Sequence, residues 1–326
     1  MGAVLVTGAA GFIGSHLCEQ LVASGKTVIG VDNFDLYYDP AFKRRNVSGL
    51  VKEERFTLVE QDIRSAEKIS ELVVSSDVDR IVHLAALAGV RASVTRASDY
   101  VDVNVGGSVN LLEAARVANV QQIVLVSTSS VYGTTEQIPF VETDTADRPL
   151  APYPATKRAM ELLGHSYSHL HGLNVSVVRL FTVYGPRGRP DMMPFMLCRS
   201  MLHGDPVSLF DNGDLKRDWT YVGDIVRGIS ALFEHSTKFE IYNLGRGAPV
   251  VLADFIACLE EISGAKANLR TVPAPATEQL LTFADITKAR DHFGYNPEVG
   301  VAEGLEAFWR WFSIHYNPMS KSAERT

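Results

Sequence analysis

Up to about residue 180, short runs of β-branched and aliphatic residues alternate with longer amphipathic stretches. The runs are Val4–Val6, Thr27–Val31, Phe56–Val59, Arg80–His83, Gln122–Val126 and Val175–Leu180. Such runs, bounded by turn residues and separated by helical periodicity, predict repeated βα units and a parallel sheet covered by helices. Within Ser108–Val117, for example, Val109, Leu112 and Val117 recur beside charged Glu113 and Arg116.

After residue 180 the rhythm breaks at turn signals such as Tyr184-Gly-Pro, Gly188-Arg-Pro190, Asp211-Asn-Gly213 and Pro273-Ala-Pro275. Helices are expected there over Met192–Leu202, Gly223–Glu234, Leu252–Ile262 and Val301–Ile314. The pattern divides the chain into a first domain over 1–180 and a smaller, mainly substrate-binding α/β lobe over 181–319. Some elements of the lobe return to the first domain in this reading, and 320–326 form a polar, disordered tail. No internal repeat or low-complexity linker separates the two.

Composition narrows the class. A chain of 326 residues with 46% apolar content can bury a large core. Its net charge of −7, with no clustered Lys and Arg, argues against nonspecific nucleic-acid binding. Cys18, Cys198 and Cys258 lie far apart, without a CxxC pair or His at ligand spacing, so no disulfide framework and no metal site is indicated. Each is read as a buried free thiol. The apolar start breaks at Gly8, too early for a signal peptide or a membrane span. The cytosol is the expected location, with no membrane partner.

The first strand runs directly into Thr7-Gly8-Ala9-Ala10-Gly11-Phe12-Ile13-Gly14, which then opens a helix. A first glycine permits the tight turn, a second lets a pyrophosphate approach the backbone, and a third lets helix and strand pack closely. Asp32 ends the second strand 24 residues after Gly8, where a carboxylate accepts hydrogen bonds from a ribose 2′-OH and 3′-OH. It would repel a 2′-phosphate, so NAD is expected rather than NADP. The contact set is Gly8, Ala10, Gly11, Phe12, Ile13, Gly14, Asp32 and Asn33, then Asp62-Ile63 toward the adenine and Leu84-Ala85-Ala86 where backbone nears the cofactor. His83 is read as a satisfied core histidine.

Ser127-Thr128-Ser129-Ser130 ends the fifth strand, and Tyr153-Pro-Ala-Thr-Lys157 starts the next long helix. Ligands gather at the carboxyl ends of strands in a doubly wound sheet, so these hydroxyls should face the nicotinamide. Lys157 lies one turn after Tyr153 on the same face. An ammonium there, with the cationic nicotinamide, is expected to lower the phenol toward neutrality and let Tyr153 act as a base toward a sugar hydroxyl.

At these residues the chain resembles the extended short-chain dehydrogenase/reductase family, with its TGxxGxxG turn, strand-end Ser/Thr and YxxxK. The resemblance implies a Rossmann-type doubly wound parallel sheet with a smaller C-terminal lobe, and a catalytic set of Thr128, Tyr153 and Lys157, with Lys157 also on the nicotinamide ribose. Arg217-Asp218-Trp219-Thr220-Tyr221-Val222 and Tyr242-Asn243-Leu244-Gly245 are similar to its nucleotide-sugar members. By that likeness Arg217 sits on the nucleotide diphosphate; the plainer reading is a surface ion pair.

Dehydratases and uronate decarboxylases of the family carry an acidic residue just before Val-Tyr-Gly, whereas this chain has Ser129-Ser130-Val131-Tyr132-Gly133. The simplest chemistry left is reversible oxidation at C4, hence 4-epimerisation without net redox change. Phe181–Met192, Asn33–Pro40 and Ala88-Gly89-Val90-Arg91 resemble the family members acting on UDP-glucuronate. That likeness puts Arg91 on the substrate, and Ser129, Ser130, Thr182 and Arg189 on the C6 carboxylate, although Arg189 also reads as a solvent-facing turn residue. Holding the carboxylate matters, because a 4-keto uronate is a β-keto acid that readily loses CO2. Leu87 stands where those epimerases usually have Gln, Arg187 where they have Trp, and Glu278–Leu280 where they have Gly-Asp-Val. The relatives form homodimers through helices matching Ser108–Ala118 and Tyr153–His171. A neutral UDP-hexose epimerase, a decarboxylase and a nonenzymatic NAD-binding regulator are the alternatives.

Overall fold

The computed structural model describes residues 2–235 and 237–316; the expected tail at 320–326 lies outside them. Six of the expected strands form: β1 (Ala3–Thr7), β2 (Val28–Asp32), β3 (Phe56–Glu60), β4 (Val78–His83), β5 (Gln122–Thr128) and β6 (Val175–Leu180). With the later strand Phe239–Leu244 they make one sheet, all parallel, in the order Phe239–Leu244, β6, β5, β4, β1, β2, β3. The residues C-terminal to 180 thus complete the sheet of the first half, pairing Phe239 with Val175 and Leu244 with Leu180.

The strands are apolar along almost every position because both sheet faces are covered. All five residues of β1 and of β2 are buried. One face packs under helices Phe12–Ala23 and Val222–Ala231, with Leu17, Leu21, Ile225 and Ile229 against Val4, Val6 and Val28. The other packs under Ala66–Ser75, Gly107–Val117 and Pro152–His171, through Ile69, Leu111, Leu112 and Met160. Each such aliphatic side chain, fully buried, contributes roughly 1.5–3 kcal/mol relative to exposure. His83 belongs to this interior: it is fully buried, with Thr7 Oγ1 2.8 Å from its Nδ1 and Ser108 Oγ 3.0 Å from its Nε2.

Strand order reverses between β1 and β4, the place where an open parallel sheet leaves a crevice at its carboxyl edge. Over that edge lies the C-terminal lobe, centred on Phe195, Trp219, Phe255, Phe308 and Phe312. Trp219 and Phe255 stack with ring centroids 3.9 Å apart. The four helices expected after residue 180 run Met193–His203, Val222–Ala231, Leu252–Ser263 and Val301–Tyr316, within a few residues of the expected bounds; the second packs on the sheet, and a further helix, Thr287–Phe293, forms besides. Cys18 and Cys198 are buried; Cys258 is only half-buried, a departure from the expectation for all three, because its helix Leu252–Ser263 lies at the lobe's surface. Among the described residues no helix is long and apolar enough to cross a membrane.

Candidate active site

A cavity of about 730 Å³ opens at the switch in strand order and runs from the glycine turn to the lobe. Gly8 has φ +70°, and a Cβ there would sit 2.9 Å from the amide nitrogen of Ala85 after β4. At Gly14 a Cβ would meet the carbonyl oxygen of Gly8 at 2.1 Å. Turn, helix and β4 therefore approach as closely as backbone allows. Helix Phe12–Ala23 begins at Gly11 with no side-chain cap and no acid in its first turn. Its N-terminus lines the cavity, a positive dipole end suited to an anion. The site thus fits a dinucleotide pyrophosphate on this chain's own geometry.

Asp32 is buried at the end of β2 and held from three sides. Its Oδ2 accepts Ala10 N–H at 3.1 Å, its Oδ1 accepts Phe34 N–H at 2.8 Å, and Lys43 Nζ lies 3.3 Å away. Ala10 thus orients the acid from behind and does not itself line the cavity. Lys43 lies on helix Pro40–Asn46, eleven residues on, and the sequence reading missed it. Asp62 accepts from Asn33 at 3.0 Å and from Arg64, whose hydrogen bond is the main cause that holds its carboxyl down at about 2. Gly8, Gly11, Phe12, Ile13, Gly14, Asp32, Asn33, Asp62, Ile63, Leu84, Ala85 and Ala86 all line the cavity.

Thr128, Tyr153 and Lys157 line the same cavity, together with Ser129, Ser130, Thr182, Arg91 and Arg189. Thr128 Oγ1 accepts Ser130 N–H at 3.2 Å, which fixes the turn after β5. Burial pushes the Tyr153 phenol above its ordinary value, while the Arg189 charge and a hydrogen bond with Thr128 pull it down. In the protein alone desolvation outweighs both; the expected lowering counts the nicotinamide charge together with Lys157 and concerns the loaded site. Lys157 is itself buried, which lowers its ammonium to about 8 against the opposing charge of Glu161.

Arg189 lines the cavity from a loop, with its side chain 24% exposed. Its Nε and Nη2 each donate to Asp191 at 2.9 Å, and it lies 5.9 Å from the Tyr37 ring centroid. Tyr37 Oη also donates to Asp191, at 3.2 Å. Arg217 lies beside these residues, next to the main cavity. It does not line the main cavity but an adjoining one of about 90 Å³, where its Nη2 donates to Glu278 Oε1 at 2.5 Å. A carboxylate 61 residues later in the chain occupies the guanidinium expected to meet phosphate.

The other departures have structural explanations. Leu87 is buried, its backbone N–H and C=O bonded to Asn104 at 2.8 and 3.0 Å. Asn104 lies in a widened turn, Val101–Gly106, of the helical stretch 97–117 and also donates to Thr156 Oγ1. Arg187 donates to Glu19 Oε1 at 2.8 Å and sits 2.8 Å from His16 Nδ1, strapping helix Phe12–Ala23 to the loop that carries Arg189. Burial, then the neighbouring Arg187 charge, pushes His16 down to about 4, so the imidazole is neutral in this contact.

Known proteins share this arrangement. The model of the NAD dependent epimerase/dehydratase family matches residues 4–245. A UDP-glucuronate 4-epimerase of Thermodesulfobacterium geofontis is 41% identical over 312 residues, 95% of this chain and 96% of that protein. UDP-glucuronate 4-epimerase 1 of Arabidopsis thaliana is 40% identical over 337 residues, 98% of this chain and 78% of that protein. The crystal structure of the Bacillus cereus UDP-glucuronic acid 4-epimerase with UDP-glucuronic acid and NAD superposes with a TM-score of 0.90 at 37% identity, covering 96% of this chain and 100% of that one. With the family model matched over residues 4–245 and relatives about 40% identical over nearly its whole length, the chain belongs to the NAD dependent epimerase/dehydratase family.

Proposed function

We propose that the chain interconverts UDP-glucuronate and UDP-galacturonate by epimerisation at C4, with NAD held along the groove from Gly8 to Asp32. One observation carries the reading: Tyr153, Thr128 and Lys157 share a cavity with Ser129, Ser130, Thr182 and Arg189, and no carboxylate precedes Val131-Tyr132-Gly133. The relatives named UDP-glucuronate 4-epimerase, aligned over nearly the whole chain, support the choice of sugar.

In this reading Tyr153 removes the proton of the sugar 4-hydroxyl, and Thr128 holds the phenol oxygen by a hydrogen bond that favours its ionised form. The Lys157 ammonium contacts the nicotinamide ribose and adds positive charge one helical turn away. NAD, when bound, supplies the hydride acceptor at C4 and the donor that returns the hydride to the opposite face. Asp32 and Lys43 receive the adenosine ribose, and the uncapped helix N-terminus receives the pyrophosphate. Hydroxyls of Ser129, Ser130 and Thr182, with the Arg189 guanidinium, hold the C6 carboxylate and so suppress loss of CO2 from the 4-keto sugar. Arg91 completes the substrate wall. Arg217 meets the diphosphate only with Glu278 turned aside.

Purified protein incubated with UDP-glucuronate and no added NAD is expected to yield UDP-galacturonate, followed by proton NMR. Conversion of UDP-glucose alone would reject the uronate, and appearance of a UDP-pentose would make the chain a decarboxylase.

The functional unit in this proposal is a cytosolic homodimer. Val117 on Gly107–Val117 and Leu162 and Leu170 on Pro152–His171 are half or more exposed, on two helices tied together by Tyr167 Oη donating to Glu113 at 2.5 Å. Apolar exposure on adjacent helices suits a second copy of the same face. Sedimentation should give a dimer mass for the protein and a monomer mass for Leu162→Glu/Leu170→Glu; a monomeric parent protein would refute the pairing.

A further inference from the structure

One buried charge beside the reacting groups has no part in the scheme above. Glu161 lies on helix Pro152–His171, one turn past Lys157 and two past Tyr153, with no exposed side-chain surface. Its carboxylate accepts four hydrogen bonds: from Ser127 Oγ at 2.5 Å, Arg158 Nη1 at 2.9 Å, and Arg179 Nε and Nη2 at 3.1 and 2.8 Å. Ser127 immediately precedes Thr128 on β5, and Arg179 lies on β6, three residues before Thr182. A single carboxylate therefore ties the helix bearing Tyr153 and Lys157 to both strand ends that bear the site's hydroxyls.

Arg179 is wholly buried and lies 4.7 Å from the centroid of the Tyr132 ring. A buried ion pair of this kind adds little net stability over well-packed apolar side chains of the same volume. Its position points to the charge it sets up nearby. Lys157 is buried, and its ammonium hydrogen bond goes to the weak acceptor Met160 Sδ at 3.6 Å. The titratable groups that interact with it are Glu161 on its own helix and His83 on β4; Arg158 on the same helix and Arg179 on β6 bond to Glu161. Burial, with the Lys157 charge adding to it, holds His83 neutral, down at about 3. Arg158 and Arg179 are cations bonded to Glu161, so Glu161 is the anion of the group. Desolvation pulls the Lys157 ammonium toward its neutral form, and the Glu161 charge opposes that.

We propose that Glu161 is a positioning residue for the reaction: anchored by Arg179 and Ser127, its fixed negative charge keeps the buried Lys157 protonated and keeps Tyr153 in register with Thr128. This rests on the reading of Tyr153 and Lys157 as the proton-transfer pair. It differs from a purely structural role, in which the web would merely hold helix and strands together.

The test uses the cofactor-loaded protein carrying 13Cε-labelled lysine, with the Lys157 resonance assigned by loss in Lys157→Arg. Glu161→Gln keeps the shape and still accepts from Ser127 and Arg179 but removes the charge. Its Lys157 midpoint should fall by about one pH unit, a tenfold larger neutral fraction at a given pH. The alkaline limb of kcat should move down with it, while KM for UDP-glucuronate stays within about twofold. Arg179→Lys loosens the same web while keeping both charges, and should lower Tm but leave the midpoint in place. An unmoved midpoint in Glu161→Gln, or an equal shift in Arg179→Lys, overturns the proposal. If Glu161→Gln does not fold, the titration of the unaltered protein decides. A Lys157 midpoint of about 8 or above supports the role, and a lower one overturns it. Absence of turnover with UDP-glucuronate in the unaltered protein strikes the proposed function instead and leaves the titration result standing.

Discussion

Tyr153→Phe should reduce turnover of UDP-glucuronate by about 10²–10⁴-fold, the usual worth of a positioned general base, while the protein stays folded and keeps its NAD. The substitution removes one oxygen and no ring. The edge-to-face contact of Tyr153 with Tyr100, centroids 6.2 Å apart, survives it, as does the helix that presents Lys157. What disappears is the acceptor for the 4-hydroxyl proton and the hydrogen bond with Thr128. The measurement pairs product formation by NMR with the NAD content released on denaturation. Turnover within about tenfold of the parent would mean that another group takes the proton, and no turnover in parent and variant alike, with NAD bound in both, would favour a regulator that binds NAD without catalysis.

Gly14→Ala is expected to abolish cofactor retention. The added Cβ would lie 2.1 Å from the carbonyl oxygen of Gly8 and 2.9 Å from its carbonyl carbon, a clash with backbone that no rotamer relieves. The helix start and the turn must separate, and the amides that should cradle the pyrophosphate move with them. A displacement of this kind should weaken NAD binding by about 100-fold or more, which is about 2.8 kcal/mol, so the variant should purify empty. Chromatographic assay of nucleotide in the denatured protein measures this directly. Full NAD occupancy would show that the pyrophosphate does not depend on this turn. An epimerase returns the hydride it takes, so a stoichiometric demand for added NAD in the parent protein would count against epimerisation even with the fold intact.

These two residues were also the easiest to find in the sequence, because their chemistry is local. Gly8, Gly14 and Asp32 belong to one strand-turn-helix-strand unit, and Tyr153 and Lys157 to one helical turn, so spacing alone brings them together. The strands were legible for the same reason: with both faces covered, each is a nearly unbroken apolar run. Lys43, Asn104 and Glu161 could not be read that way. Lys43 reaches Asp32 across a loop and a short helix, Asn104 depends on a widened turn, and Glu161 gains its meaning from Arg179 on another strand. For Tyr153, spacing shows a neighbouring ammonium but not the desolvation that opposes ionisation. Nothing near Arg217 in the sequence foretells its partner Glu278. Asp32 and Lys43 suggest what signal was available: a basic residue on the short helix after a β2 acid is close enough to return to it.

The last strand of the sheet, Phe239–Leu244, has a consequence for how the protein is made. During synthesis β6 leaves the ribosome some 60 residues before its outer neighbour, so its backbone donors and acceptors form an open apolar edge for that interval. Asn243 on the late strand accepts from Tyr132 Oη at 2.6 Å and donates to the Phe140 carbonyl at 2.8 Å, locking down the segment just after the Thr128–Ser130 turn. The segment that follows the Thr128–Ser130 turn is therefore fixed late, from the second half of the chain. A fragment ending at residue 180 would carry every glycine of the dinucleotide turn and still present an unpaired edge prone to aggregation. For expression and for engineering, the smallest self-contained unit extends past residue 244.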